Sequence, residues 1–265
     1  MKVLVIGAGR FGKALGGVLE ENENTVYYYD PIVFPENSLE GGLKKAEAVL
    51  FVAPSETVKD ILAKLPENLP FILASKGFWS EEKFQKFSEY SVIGGAAFAE
   101  DIINCEPRFG NEVILTASSH LCEKLFSTEY LRVEYTRDRL GISMCGSLKN
   151  IFSIYMGWKE PGKPEDELKK IFHEMEDILF ENGADPGTAK LSCGMADVIL
   201  TCSEESRNFQ FGQLLREKGQ VKKFITDNTV EGVSAICSEE FSKVCIPGTA
   251  RIFKEIIKEV KNAIE

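Results

Sequence analysis

The chain has 265 residues, 44% of them hydrophobic and 27% charged, which suits one large or two modest globular domains with a real core, two being the expectation. Its net charge of -10 argues against a nucleic-acid or anionic-membrane partner, so any anionic ligand has to be captured by a local cluster of cations. Seven cysteines without a Cys-x-x-Cys pair read as reduced thiols of a cytoplasmic protein rather than disulfides or zinc ligands.

Lys2 to Ile6 is a β-branched strand, followed by Gly7-Ala8-Gly9-Arg10-Phe11-Gly12 and a helical KALGGVLEEN. This strand, glycine turn and helix lets the backbone approach a pyrophosphate, which then sits on the helix N-terminus. MKVLVIGAG is too short for a signal peptide, and no apolar run is long enough to span a bilayer, so no membrane insertion is expected. Thr25 to Tyr29 reads as a second strand ending in Asp30, whose carboxylate can bond a ribose 2'-hydroxyl and repel a 2'-phosphate. That predicts NAD over NADP.

The alternation continues with a strand at Ala48 to Val52, Ala53-Pro54-Ser55, a helix through Leu65, a strand at Phe71 to Ala74 and Ser75-Lys76-Gly77. Strands at SVIGG, Glu112 to Thr116 and Leu131 to Thr136, with a helix from Ser118, complete a doubly wound parallel sheet of the Rossmann type over residues 1–137. Ligands on such sheets bind beyond the carboxyl ends of the strands, where Pro54, Ser55 and Lys76 are expected to lie; by itself Lys76 reads equally as a solvated loop lysine.

After Asp138 the pattern is helical to the end, predicting an all-α substrate and catalytic domain over 138–265 that closes one side of the crevice. Helices are expected over Gly141 to Trp158, Pro164 to Asn182 and Thr249 to Glu265, the last with Ile252, Phe253, Ile256, Ile257 and Val260 on one apolar face. His120 and His173 fall at ordinary surface positions, and HEMED lacks the second histidine of a His-Glu-x-x-His site, so neither histidine catalysis nor a metal is expected.

Two segments set polar groups into apolar helix. In CGSLKNIFSIYMG, Lys149 and Asn150 interrupt the run; a lysine so placed either snorkels to the surface or becomes an acid-base group with a lowered pKa. In GMADVILTCSEESRNFQFG, a helix from Met195 to Cys202 stacks Asp197 and Thr201 on one face. Ser206 would then N-cap a second helix opened by Arg207 and Asn208, an anion site unless the helix is merely core with an exposed arginine.

Taken together, GAGRFGKAL, VAPSETV, SKG, GGAAFAED, DRLGISMCGSLKN, GMADVILTCSEESRNFQFG and VEG resemble, in order and through most of the chain, the NAD-dependent glycerol-3-phosphate dehydrogenase family. The resemblance implies a cytoplasmic homodimer that transfers a hydride between NAD(H) and C2 of dihydroxyacetone phosphate or sn-glycerol 3-phosphate, supplying the latter for phospholipid synthesis. By matching position it implies Lys149 as the acid-base residue, Asp197 as the group that orients or tunes it, and Lys76 beside substrate and nicotinamide. Gly95, Asn150 and Thr201 would complete the pocket, and Ser206, Arg207 and Asn208 would hold the phosphate. The cofactor would meet Gly7 to Gly12, including Arg10 and Phe11, together with Asp30, Pro54, Ser55, Lys76, Ala99, Arg207, Val230 and Glu231.

This sequence departs from the family in places. Gly95-Ala96-Ala97-Phe98-Ala99 stands for the usual Gly-Pro-Ser-Phe-Ala, Ser143 for a Glu and Asp30 for a basic residue, and the stretches 31–46 and 150–164 are short. Ala97 favours the alternative of another small phosphorylated or carboxylated 2-hydroxy substrate. A catalytically weak NAD-binding sensor is the other alternative, disfavoured by the joint presence of Lys76, Lys149, Asp197 and Arg207.

Overall fold

The computed structural model describes residues 1–79, 81–107, 110–159 and 164–264. The chain packs as two compact units: residues 1–76 continue after an excursion up to Arg139 in the first, and Gly77–Trp79 joins the residues from Leu140 onward in the second.

The first unit alternates β1 (Lys2–Ile6), α1 (Arg10–Glu21), β2 (Thr25–Tyr29), α2 (Leu39–Leu43), β3 (Ala48–Phe51), α3 (Val58–Leu62), β4 (Phe71–Leu73), β5 (Tyr90–Gly95), α4 (Ala99–Ile103), β6 (Val113–Ala117), α5 (His120–Phe126) and β7 (Leu131–Tyr135). The strands form one sheet in the order β2-β1-β3-β4-β5-β6-β7. Val3, Val5, Leu15, Leu19, Leu50, Ile72, Leu115 and Phe126 meet in its core. Each such side chain removed from water contributes about 1.5–3 kcal/mol, which is why β1 and β3 read as continuous apolar runs.

One feature of the expected parallel sheet is corrected. β1 to β5 are mutually parallel, but β6 runs antiparallel to β5 and parallel to β7. Among the described residues the link from β5 to β6 holds only the short α4, whereas a parallel neighbour requires a crossover of a dozen or more residues, usually a full helix. The helix expected through Leu65 also stops at Leu62: Pro66 has no N–H to offer the Leu62 carbonyl and disfavours helical angles at Leu65, and the carbonyls of Leu62 and Leu65 accept instead from the ammonium of Lys86 at 2.5 and 3.2 Å.

The second unit is helical: α6 (Arg139–Lys159), α7 (Pro164–Glu181), α8 (Asp197–Thr201), α9 (Arg207–Arg216), α10 (Val221–Asp227), α11 (Glu231–Ile236) and α12 (Arg251–Ile264). α6 is buried along nearly its whole length. α12 buries the five apolar residues expected of it, and its first turn is held by α7, where the buried Glu174 carboxylate accepts the N–H groups of Ile252 (2.8 Å) and Phe253 (2.9 Å). Gly77–Trp79 belongs here through the Ser143 hydroxyl, which donates to the Gly77 carbonyl at 2.7 Å, and through Phe78 against Phe241. No described helix is long and apolar enough to cross a membrane. Residues 160–163 of the shortened 150–164 stretch, and residue 265, lie outside the described residues.

Candidate active site

In the first unit the glycine turn runs from the end of β1 into α1. Gly7 has φ +101°, and a Cβ on Gly12 would stand 2.0 Å from the Gly7 carbonyl oxygen, so both positions are restricted to glycine. Gly9 differs: nothing lies within 4 Å of where its Cβ would be, and it is the N-cap of α1 without a side chain to occupy the first-turn donors. The result is an open, donor-lined cradle that fits a dinucleotide pyrophosphate. Arg10 extends from it into solvent and pairs with Glu100 at 3.0 Å, while Phe11 packs against the core.

Asp30 follows β2 and is tied to the same turn. Its carboxylate accepts the Ala8 N–H at 2.8 Å and the Ile32 and Val33 N–H groups at 3.0 and 3.1 Å. Partial burial pushes this carboxyl upward, but the three N–H groups and the charge of Lys13 outweigh it and hold it below its ordinary value. Most of its acceptor capacity is thus spent on the backbone, which fixes the direction of what remains. Pro54 and Lys76 are exposed and Ser55 is half-buried, each beyond the end of its strand. Ala99 opens α4, whose start is closed by Asp101 accepting the Phe98 N–H at 2.9 Å. Ala97 packs against the core, and Gly95 ends β5 with φ +156°.

In the second unit the polar groups set into apolar helix come together. Lys149 does not snorkel: it is 6% exposed, and its ammonium donates to the Asp197 carboxylate, itself 3% exposed, at 2.5 Å. The helical path expected from Met195 follows a kink at Gly194: Met195 and Ala196 end a wide helical turn, Ser192–Ala196, that runs on into the regular helix at Asp197. Gly194 has non-helical angles, and a Cβ there would stand 2.2 Å from the Ala189 carbonyl oxygen, so the wide turn Ser192–Ala196 is pressed onto the preceding segment and Asp197 opens the regular helix. Thr201 lies one turn on and spends its proton on the Asp197 carbonyl at 2.7 Å.

Ser206 caps α9, accepting the Phe209 N–H at 3.4 Å; Arg207, first in the helix, is exposed, and Asn208 is buried. The Asn208 amide donates to the Asn150 side-chain oxygen and accepts the Gly232 N–H, both at 2.9 Å, and Asn150 donates to the Glu231 carboxylate at 3.0 Å. Val230 is buried immediately before α11. Ser153, not singled out in the sequence, is fully buried on α6 and donates to the Thr201 carbonyl at 2.8 Å, with the Ser206 hydroxyl at 3.4 Å. A serine in an apolar helix, one turn from Lys149 and Asn150, was the signal for it.

A glycine-turn nucleotide unit followed by a helical unit with a buried lysine–carboxylate pair defines the class as a nicotinamide-nucleotide-dependent oxidoreductase. Residues 138–261 match the model of the NAD-dependent glycerol-3-phosphate dehydrogenase C-terminus. A protein of Leptospira biflexa named glycerol-3-phosphate dehydrogenase [NAD(P)+] is 26% identical, the match covering 90% of this chain and 86% of the relative. The fold is shared with the glycerol-3-phosphate dehydrogenase structure from Coxiella burnetii (TM-score 0.79, 20% identity, 99% and 97% of the two chains). It is shared also with the one from Plasmodium falciparum (TM-score 0.82, 15% identity, 99% and 92%). Over residues 138–261 the chain is thus similar to the C-terminus of the NAD-dependent glycerol-3-phosphate dehydrogenase family.

Proposed function

We propose that this enzyme interconverts dihydroxyacetone phosphate and sn-glycerol 3-phosphate with NAD(H), as a cytoplasmic homodimer that supplies glycerol 3-phosphate for phospholipid synthesis. The observation that carries the reading is the buried Lys149–Asp197 pair, in the same helical unit as a serine-capped helix that begins with Arg207. The names of the relatives and the seven free thiols support substrate and compartment. Relatives carry the name NAD(P)+; the carboxylate of Asp30 supports NAD here, since it repels a 2'-phosphate.

Gly7 to Gly12 and the start of α1 would hold the pyrophosphate, with Phe11, Asp30, Pro54, Ser55, Ala99, Val230 and Glu231 along the rest of the cofactor. When bound, the nicotinamide supplies or accepts the hydride at C2 of the substrate. Lys149 gives its proton to the C2 oxygen during reduction and takes it back in oxidation. Asp197 keeps that ammonium oriented and charged before transfer. Arg207, Asn208 and the free N–H groups of α9 hold the remote phosphate, and this binding energy fixes the carbonyl for reaction. Lys76, Gly95, Asn150 and Thr201 are assigned to the substrate by the family resemblance.

Lys149→Ala lowers kcat by about a hundredfold or more with little change in substrate KM, as loss of a general acid does. Arg207→Ala chiefly raises the KM for dihydroxyacetone phosphate. Unchanged turnover in Lys149→Ala overturns the assignment. Ala97, where the family carries a hydroxyl, supports a second reading, another small phosphorylated or carboxylated 2-hydroxy compound as the better substrate.

A further inference from the structure

The hydrogen-bond ring around Asn150 ties together side chains that the proposed function assigns to different ligands. Asn208 stands beside Arg207 at the phosphate end, while Glu231 opens α11 on the cofactor side. Asn150 lies between them, next to Lys149 on α6. We propose that Glu231 is a positioning residue for the phosphate subsite, acting through the Asn150–Asn208 amide pair; the inference rests on the function proposed above and deepens it.

A backbone N–H only donates, so the Gly232 N–H at 2.9 Å fixes the Asn208 side-chain oxygen toward α11. The Asn208 amide nitrogen must then face Asn150, whose oxygen accepts from it at 2.9 Å. The Asn150 nitrogen is turned the other way, onto two groups that only accept, the Gly146 carbonyl at 3.2 Å and the Glu231 carboxylate at 3.0 Å. Both ends of the chain of amides are polarised, and rotation of either amide would set like groups against each other.

Burial makes that polarity costly to disturb. Asn150 is 2% and Asn208 6% exposed, so an amide deprived of its partner has no water to turn to. Gly232 has no slack either: a Cβ there would lie 2.7 Å from the Ile154 side chain and 2.9 Å from the Asn150 carbonyl oxygen. The start of α11 is thus seated on α6 at Asn150. What the ring leaves Asn208 is the second N–H of its amide nitrogen, on the first turn of the serine-capped α9, where the function proposed above puts the phosphate. The Glu231 acceptor sets the direction of Asn150, Asn150 sets that of Asn208, and Asn208 meets the phosphate.

The test is titration calorimetry of the cofactor-free protein with sn-glycerol 3-phosphate, so that a lost cofactor contact cannot contribute, on wild type, Glu231→Gln and Glu231→Ala. Gln keeps an oxygen for Asn150 and removes only the charge; Ala removes both. Glu231 is exposed, so neither variant opens a cavity; Glu231→Ala melts somewhat lower because Asn150 loses an acceptor, and cooperative unfolding of all three proteins well above the titration temperature verifies that they fold. Binding by Glu231→Gln at least as tight as wild type, with Glu231→Ala about fivefold weaker than Glu231→Gln, is the expected result, the size of one lost hydrogen bond. Equal affinity of the Ala and Gln variants overturns the relay while leaving the substrate assignment intact. A wild type that binds NADH but not glycerol 3-phosphate overturns the substrate assignment and the relay with it.

Discussion

Replacing Asp197 by Asn removes the charge that faces the Lys149 ammonium and leaves a cation inside the protein. At 2.5 Å and an effective dielectric constant of about 20, the attraction is on the order of 7 kcal/mol. Much of that offsets the desolvation of two groups whose side chains are 7% and 4% exposed. Breaking one side of such a pair costs about 3–5 kcal/mol, because the remaining charge stays buried without compensation. The amide oxygen of Asn still accepts from the ammonium, so Asp197→Asn should lose about 3 kcal/mol in urea unfolding followed by circular dichroism. The double variant Lys149→Met/Asp197→Leu should recover most of this, since neither charge is then buried, while having no turnover. Such recovery would show that the pair is not there for stability. Asp197→Asn within about 1 kcal/mol of wild type would refute the reasoning, since the pair would then not be electrostatically coupled.

Glu174 gives a pH-dependent prediction: burial holds its carboxyl above the ordinary value, against the opposing pull of the Ile252, Phe253 and Arg251 N–H groups. A carboxyl harder to ionise in the fold than in the unfolded chain contributes its full linked stability below the ordinary carboxylate pKa, and that contribution is lost as pH rises through the raised value. Glu174→Gln cannot ionise, so wild type minus variant unfolding free energy should fall as pH rises from the ordinary carboxylate range through the raised value, in denaturant titrations at each pH; a flat or rising difference contradicts it. Asp30→Ala should raise the NADH KM about tenfold and lower that for NADPH, because the charge that repels a 2'-phosphate is removed. Steady-state kinetics with both cofactors check this, and an unchanged ratio means that Asp30 only ties Ala8 to the loop.

Much of the fold was legible because burial writes its period into the chain. β1, the glycine turn, α1 and the apolar face of α12 were read residue by residue, since each is a local pattern with one structural solution. The direction of β6 was not legible: alternation marks a strand but not which end the chain enters from, and the link from β5 carried no parallel-crossover signal. The break at Gly194 was hidden for a similar reason, since Asp197 and Thr201 keep helical spacing whether the helix begins at Met195 or later. Lys149, Asp197, Asn150 and Asn208 were visible as polar residues in apolar helices, but which would pair is a tertiary fact. Glu174 and Asp30 show the same limit. Their carboxylates are spent on backbone N–H groups, and only the fold decides which backbone comes within reach.

The central claim is a phosphate-dependent reduction of a ketone by NADH, and oxidation of NADH followed at about 340 nm, where the reduced nicotinamide absorbs, tests it most directly. Turnover is expected with dihydroxyacetone phosphate and essentially none with unphosphorylated dihydroxyacetone. No turnover with the phosphate, in a protein that still binds NADH, would contradict it.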